Sequence, residues 1–151
     1  MLTFSFALLF CLILIGFYRI NRLPVTIIIP LWLFIMLISG LTFNSIFTNL
    51  GYIDKPMTAD RYVTYHVLHK LISPIGLLLI VNIYHRLRVP LKWGWTILGT
   101  AFFMIGEKIV EQIGIIKYVD WNIGYSALMW FSIIVLCLIF DHLLERGDHH
   151  L

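Results

Sequence analysis

Charged residues cut the chain into five uncharged runs, at 2–18, 23–53, 71–84, 93–106 and 121–140. Crossing the roughly 30 Å of hydrocarbon in a bilayer takes about 20 helical residues, so runs of this kind predict transmembrane helices. The first, at 17 residues, is near the lower limit. No Lys or Arg precedes it, no small-x-small cleavage site follows it, and Phe10 rather than a small residue precedes Cys11. It therefore reads as a permanent span and not as a signal peptide. The second run is longer than one crossing needs: Pro24 and Pro30 mark its start, and Thr42, Asn44, Ser45, Thr48 and Asn49 its end. Extended into their flanks, the runs predict spans at about 2–18, 24–46, 62–85, 91–112 and 121–143. The expected architecture is an all-α integral membrane bundle of five transmembrane helices in one domain, with no repeat, linker or separate soluble module.

Composition agrees with this picture. Of 151 residues, 60% are hydrophobic and 13% charged, where a soluble domain has roughly a quarter of its residues charged. With a mean hydropathy of +0.92, too little polar surface is left to cover a water-soluble core, so the lipid bilayer is the first partner. The net charge of +3 sits in short basic clusters beside the runs, which is a topology signal and argues against nucleic acid as a partner. Cys11 and Cys137 stand alone in uncharged runs, without disulfide or C-x-x-C spacing.

Orientation follows from the basic residues. Arg19 and Arg22 lie between runs one and two, and Arg86, Arg88 and Lys92 between runs three and four, which makes those loops cytoplasmic by the positive-inside rule. The alternate loops, with Asp54, Lys55, Asp60 and Arg61 and with Lys117 and Asp120, are balanced in sign. The expected topology has the N-terminus outside and the C-terminus cytoplasmic, in the plasma membrane. Trp32, Trp93, Trp95 and Trp121, with several tyrosines, fall towards span ends as interfacial belts.

Runs three and four hold 14 uncharged residues each, short of the about 20 that a crossing takes, so each must borrow from a charged flank. Pro90 restricts Val89 to extended backbone and limits helix on the basic side. The borrowed residues are then Tyr65-His66-Val67-Leu68-His69-Lys70 and Glu107-Lys108-Ile109-Val110-Glu111-Gln112. In an antiparallel hairpin turning between Arg88 and Val89, Lys70 stands level with Glu107 and His66 with Glu111, the members four residues apart on one face of each helix. Pro74 leaves the carbonyl of Lys70 without its helical donor.

Ionisable groups at mid-bilayer cost roughly 2.5–3.5 kcal/mol each, and two expectations follow. In one, His66, His69, Lys70, Glu107 and Glu111, completed by Asn122, Tyr125 and Ser126 from span five and Asn44 from span two, line an outward-facing pocket that binds a small solute or relays ions or protons. In the other, the same charges only fix helix packing in a non-catalytic accessory or assembly protein, whose protein partner the sequence does not name. A metal at His66-x-x-His69 and Glu107-x-x-x-Glu111 is disfavoured: the di-metal helical pattern wants Glu where Val63 stands, and Lys70 and Lys108 add positive charge. Neither metal nor organic cofactor is expected, and no G-x-S-x-G or H-E-x-x-H motif fixes a reaction. At the end of span five, Asp141, His142 and Glu145 are expected to pair loosely with Arg86, Arg88 or Lys92, with His149 and His150 as tail.

Lys55-Pro56 and the third span, followed by Glu107-x-x-x-Glu111, Ile116-Lys117-Tyr118 and Trp121, resemble a family of small, functionally uncharacterised multi-pass membrane proteins of spore-forming bacteria. The resemblance covers about the last two thirds of the chain, and it implies a membrane location and a helix count but no mechanism. The five-span, aromatic-rich format is also similar to the tryptophan-rich sensory (translocator) proteins, whose W-x-P-P signature this chain lacks.

Overall fold

The computed structural model describes residues 2–54 and 58–148; Lys55, Pro56, His149 and His150 lie outside them. The described chain is a helical bundle. Helix α1 covers Leu2–Ile20, and α2, Val25–Thr42, runs on as a π-helical segment at Phe43–Asn49. Helix α3 (Ala59–Val67), a second π-helical turn (Leu68–Ile72) and α4 (Ser73–Tyr84) form one continuous rod. Helices α5 (Val89–Gln112) and α6 (Ile123–Asp148) complete the set. Four stretches, Leu2–Ile20, Val25–Ser45, Ala59–Tyr84 and Ile123–Arg146, are long and apolar enough to cross a membrane.

Prolines set several boundaries. Pro24 is extended and opens α2. Pro90 lies in the first turn of α5, where its missing N–H removes no helical bond. The extended residue is Arg88 and not Val89, so α5 begins one residue earlier than the rule for pre-proline residues predicts. Pro74 opens α4 directly after the second π turn, in which the Ser73 N–H and hydroxyl both donate to the carbonyl of Leu68. The wide turn absorbs the interruption that a proline makes in a long helix.

Helix α4 is the centre of the bundle. It is apolar nearly all round and buries Ile75, Leu77, Leu78, Ile80 and Val81 together with Ser73, Pro74 and Asn82, as a helix enclosed by others must. Helices α2, α5, α6 and α1 pack on it. By contrast α1 buries only Phe17 among its described residues, and Phe4, Leu8, Leu12 and Ile15 face outward. Against α5, Ile80 lies over Gly99, Gly76 meets Phe103, and the Trp95 indole donates to the carbonyl of Ile80 at 3.0 Å. These are the equal-depth partners of a hairpin turning near residues 88–90.

Polar contacts gather at the two ends. At the basic end, Asn82 accepts from the Arg22 N–H at 3.2 Å and donates to the carbonyl of Ile20, which Arg86 also bonds. At the opposite end, β1 (Ile53–Asp54) pairs antiparallel with β2 (Lys117–Tyr118), Ile53 facing Tyr118 and Asp54 facing Lys117. This two-residue pairing is absent from the all-helical expectation, since strands so short leave no run of alternating residues to read. Helix α5 delivers the chain to β2 through Gly114, whose φ of 75° suits glycine. There the Gly114 N–H bonds the carbonyl of Glu111 and the Ile115 N–H that of Val110, a Schellman closure that buries Ile115.

Candidate functional site

Glu107, 9% exposed, is the buried carboxylate at the strand-bearing end, one and a half turns before the end of α5. One carboxylate oxygen accepts from the Tyr118 hydroxyl in β2, and the other from the Trp130 indole of α6 at 3.0 Å. Three elements thus converge on one side chain. The Schellman turn places Tyr118 back over α5, and Trp130, stacked on Phe103 at 4.3 Å between ring centres, is held so that its N–H points at the carboxylate. Beside it, the Trp121 indole donates to the Ser126 hydroxyl at 2.7 Å. Met104, Glu107, Lys108, Tyr118, Trp121 and Ser126 border a cavity of about 10 Å³, room for a single water at most.

The Tyr118 phenol lies outside the helices, and burial, followed by the negative charge of Glu107, pushes its pKa well above the ordinary tyrosine value. It therefore stays a neutral donor. A carboxylate that receives two such bonds in a poorly solvated place is held more firmly than a surface ion pair, because water cannot replace a lost partner.

The other residues expected in the pocket do not assemble around Glu107. Lys70 is exposed and His66 half-buried, and among the described residues no ion pair joins Lys70 to Glu107 or His66 to Glu111. Glu111 instead pairs with Lys108 on its own helix at 2.6 Å. His66 meets the Tyr62 ring edge-on at 4.5 Å. The π turn holds one residue more than an α turn, so His66 before it is rotated by about 100° from the phase of an unbroken helix, and α3 and the turn pack chiefly against α1. The depth-matching of the hairpin survives, but the facing does not.

His69 occupies a different niche, tilted on Phe43 at 3.9 Å and edge-on to Tyr65 at 4.4 Å. Both of its ring nitrogens are buried without a hydrogen-bond partner among the described residues. Asn122 is a helix cap: its side-chain oxygen accepts from the Gly124 N–H at 2.9 Å, and its carbonyl bonds the Tyr125 N–H. Tyr125 is 58% exposed and borders, with Ile38, Leu50, Trp121, Met129 and Leu136, an open apolar groove of about 590 Å³ between α2 and α6. Asn44 is exposed.

Tyr118 and Trp130 are the partners that sequence reasoning missed. Tyr118 reads as a belt residue, and Trp130 sits mid-run where an indole signals core. The clue available was that a buried Trp needs an acceptor for its N–H. At the basic end, Asp141 and Glu145 meet His85 instead of the expected Arg86, Arg88 or Lys92. Comparison with protein-family models, curated proteins and solved structures finds no match to the chain. The kinship suggested by its motifs rests on those motifs alone.

Proposed function

We propose that the chain is a five-span plasma-membrane protein of accessory type, N-terminus outside and C-terminus cytoplasmic, whose polar groups at the outer end lock its helices together. The observation that carries this reading is Glu107, both of whose oxygens are already taken by donors from β2 and α6 beside a space no larger than one water. A pocket for an organic solute needs hundreds of cubic ångströms and unsatisfied polar groups. A fifth crossing by α5 is supported by its 24 residues, about 36 Å of helix, and by the outward apolar face of Ile97, Leu98, Phe102 and Ile105. The gathering of Arg19, Arg22, Arg86, Arg88 and Lys92 at one end supports the orientation. Kinship with the uncharacterised membrane proteins of spore-forming bacteria fits the same reading.

A second reading, proton exchange at Glu107, is favoured by the water-sized cavity that touches its carboxylate. Liposomes carrying a pH-sensitive dye separate the two. A lock predicts that protein-bearing vesicles hold a pH gradient as well as empty ones, and that Glu107→Gln lowers fold stability. Collapse of the gradient by the native protein, abolished by Glu107→Gln with the fold intact, would overturn the lock in favour of proton exchange.

A further inference from the structure

His85 closes the C-terminal end of α4, and Asp141 and Glu145 stand one turn apart on α6, facing it. The His85 Nε2 lies 2.6 Å from Asp141 Oδ2, its Nδ1 lies 3.5 Å from Glu145 Oε1, and one ligand atom from each of the three residues falls within 4.8 Å of the others. Asp141 is 2% exposed, and its second oxygen, Oδ1, is buried with no hydrogen-bond partner among the described residues. Basic residues are near in sequence, but Arg86 is turned to the carbonyl of Ile20 and Lys92 lies over the Tyr84 ring at 4.6 Å. Among the described residues no Lys or Arg pairs with either carboxylate. The cluster therefore brings together one imidazole and two carboxylates, and the imidazole, when protonated, is the one cation that pairs with them among the described residues.

We propose that His85, Asp141 and Glu145 form a site for a divalent transition-metal ion of the zinc or manganese class, which staples α4 to α6 at the basic end. One nitrogen and two oxygens are a donor set suited to borderline ions, whereas calcium and magnesium sites are built from oxygen alone. Ligands at about 2.0–2.2 Å from a shared ion stand roughly 3–4 Å from one another, so these atoms must draw closer, with one carboxylate moving to the ring nitrogen that the other already meets. A doubly charged ion neutralises both carboxylates and gives the buried Asp141 oxygens a partner. It takes the place of the proton between His85 and Asp141, which leaves to solvent. The partial exposure of His85 and Glu145, with side chains 28% and 39% accessible, provides the route in and leaves a coordination position for water. The site lies at the opposite end of the bundle from Glu107 and does not depend on the lock proposed there.

The test uses the full chain in detergent or nanodiscs, stripped with chelator, with His149 and His150 replaced by Ala to remove competing imidazoles. Titration with Co2+ is expected to give one equivalent of a saturable visible absorption that Zn2+ displaces, and Zn2+ is expected to raise the thermal midpoint. Glu145→Gln, at a partly exposed position that the fold tolerates, is expected to weaken binding by more than about tenfold, since even outer-shell partners of metal ligands contribute that much. His85→Gln is expected to abolish the signal. Absence of saturable binding of Co2+, Zn2+ and Mn2+, or binding undiminished in both variants, would overturn the proposal. So would a midpoint raised by Ca2+ or Mg2+ as much as by Zn2+.

Discussion

Replacing Tyr118 by Phe removes a single hydroxyl, the one that bonds Glu107, and keeps the ring that stacks near Trp121 at 6.4 Å. Glu107 is 9% exposed, and the space beside it, about 10 Å³, is too small for solvent to rebuild the lost bond freely. Hydrogen bonds to charged groups are worth about 1.5–3 kcal/mol, and Tyr118→Phe is expected to destabilise the fold by about 2 kcal/mol. The chain contains its own control. Lys108 and Glu111 also make a 2.6 Å contact, but the Lys108 side chain is 53% exposed and that of Glu111 29%. Exposed pairs three residues apart on a helix contribute at most about 0.5 kcal/mol, so Lys108→Ala should be nearly silent. The assay is reversible unfolding in mixed micelles, with the fluorescence of the five tryptophans as reporter, or steric trapping in bicelles. In a double-mutant cycle, Tyr118→Phe with Glu107→Gln should show coupling of about 1–2 kcal/mol. If Tyr118→Phe and Lys108→Ala lie within 0.5 kcal/mol of each other, by the yardstick for exposed pairs of about that size, the idea that enclosure makes Glu107 the stronger contact is wrong.

Three further outcomes follow from particular contacts. His69→Phe removes two buried, unpartnered nitrogens while keeping an aromatic ring between Phe43 and Tyr65, and should raise stability by about 1–3 kcal/mol; a loss of that size in the same unfolding assay would reveal an unrecognised polar partner. A Cβ at Gly99 would approach Ile80 Cδ1 to 2.8 Å, the far end of a flexible side chain, so Gly99→Ala should cost less than about 1 kcal/mol and Gly99→Leu about 1–3 kcal/mol, the larger loss partly recovered by Ile80→Ala. Of the seven tyrosines, Tyr118 should ionise last, because its folded pKa is raised above the ordinary 10.0 by burial and then by Glu107. Its neutral bond therefore stabilises fully below pH 10.0, and the contribution is lost as pH climbs through the raised value. One tyrosinate that appears around pH 10.0 in native protein and is missing from Tyr118→Phe would refute this.

Much of the fold was legible because runs of uncharged residues report lipid-length helices directly. The hairpin depth relation between α4 and α5 was legible too, since the turn around Arg88 and Pro90 fixes it and Ile80 does meet Gly99. What could not be read was helical phase. A single extra residue in Leu68–Ile72 leaves depth almost unchanged but alters which way His66, ahead of it, faces. Glu107 is buried, yet its partners come from β2 and from mid-α6, contacts set by a glycine turn and a strand pairing of two residues. Such long-range closures leave no local periodicity. The meeting of His85 with Asp141 and Glu145 was hidden for the same reason: charge counting favours the nearby Arg86 and Lys92, which the fold turns to the carbonyl of Ile20 and the ring of Tyr84.

The oversized turn ahead of Pro74 is a spare link in an otherwise tight chain. Excising one residue from it would draw the rod into a regular spiral and swing its first two turns by about 100° while α4 kept its seat. The face of α3 that now meets α1, where Thr3 is hydrogen-bonded to Asp60 and Thr64, would be carried away from its partner, and one deletion would unfasten the first helix from the rod.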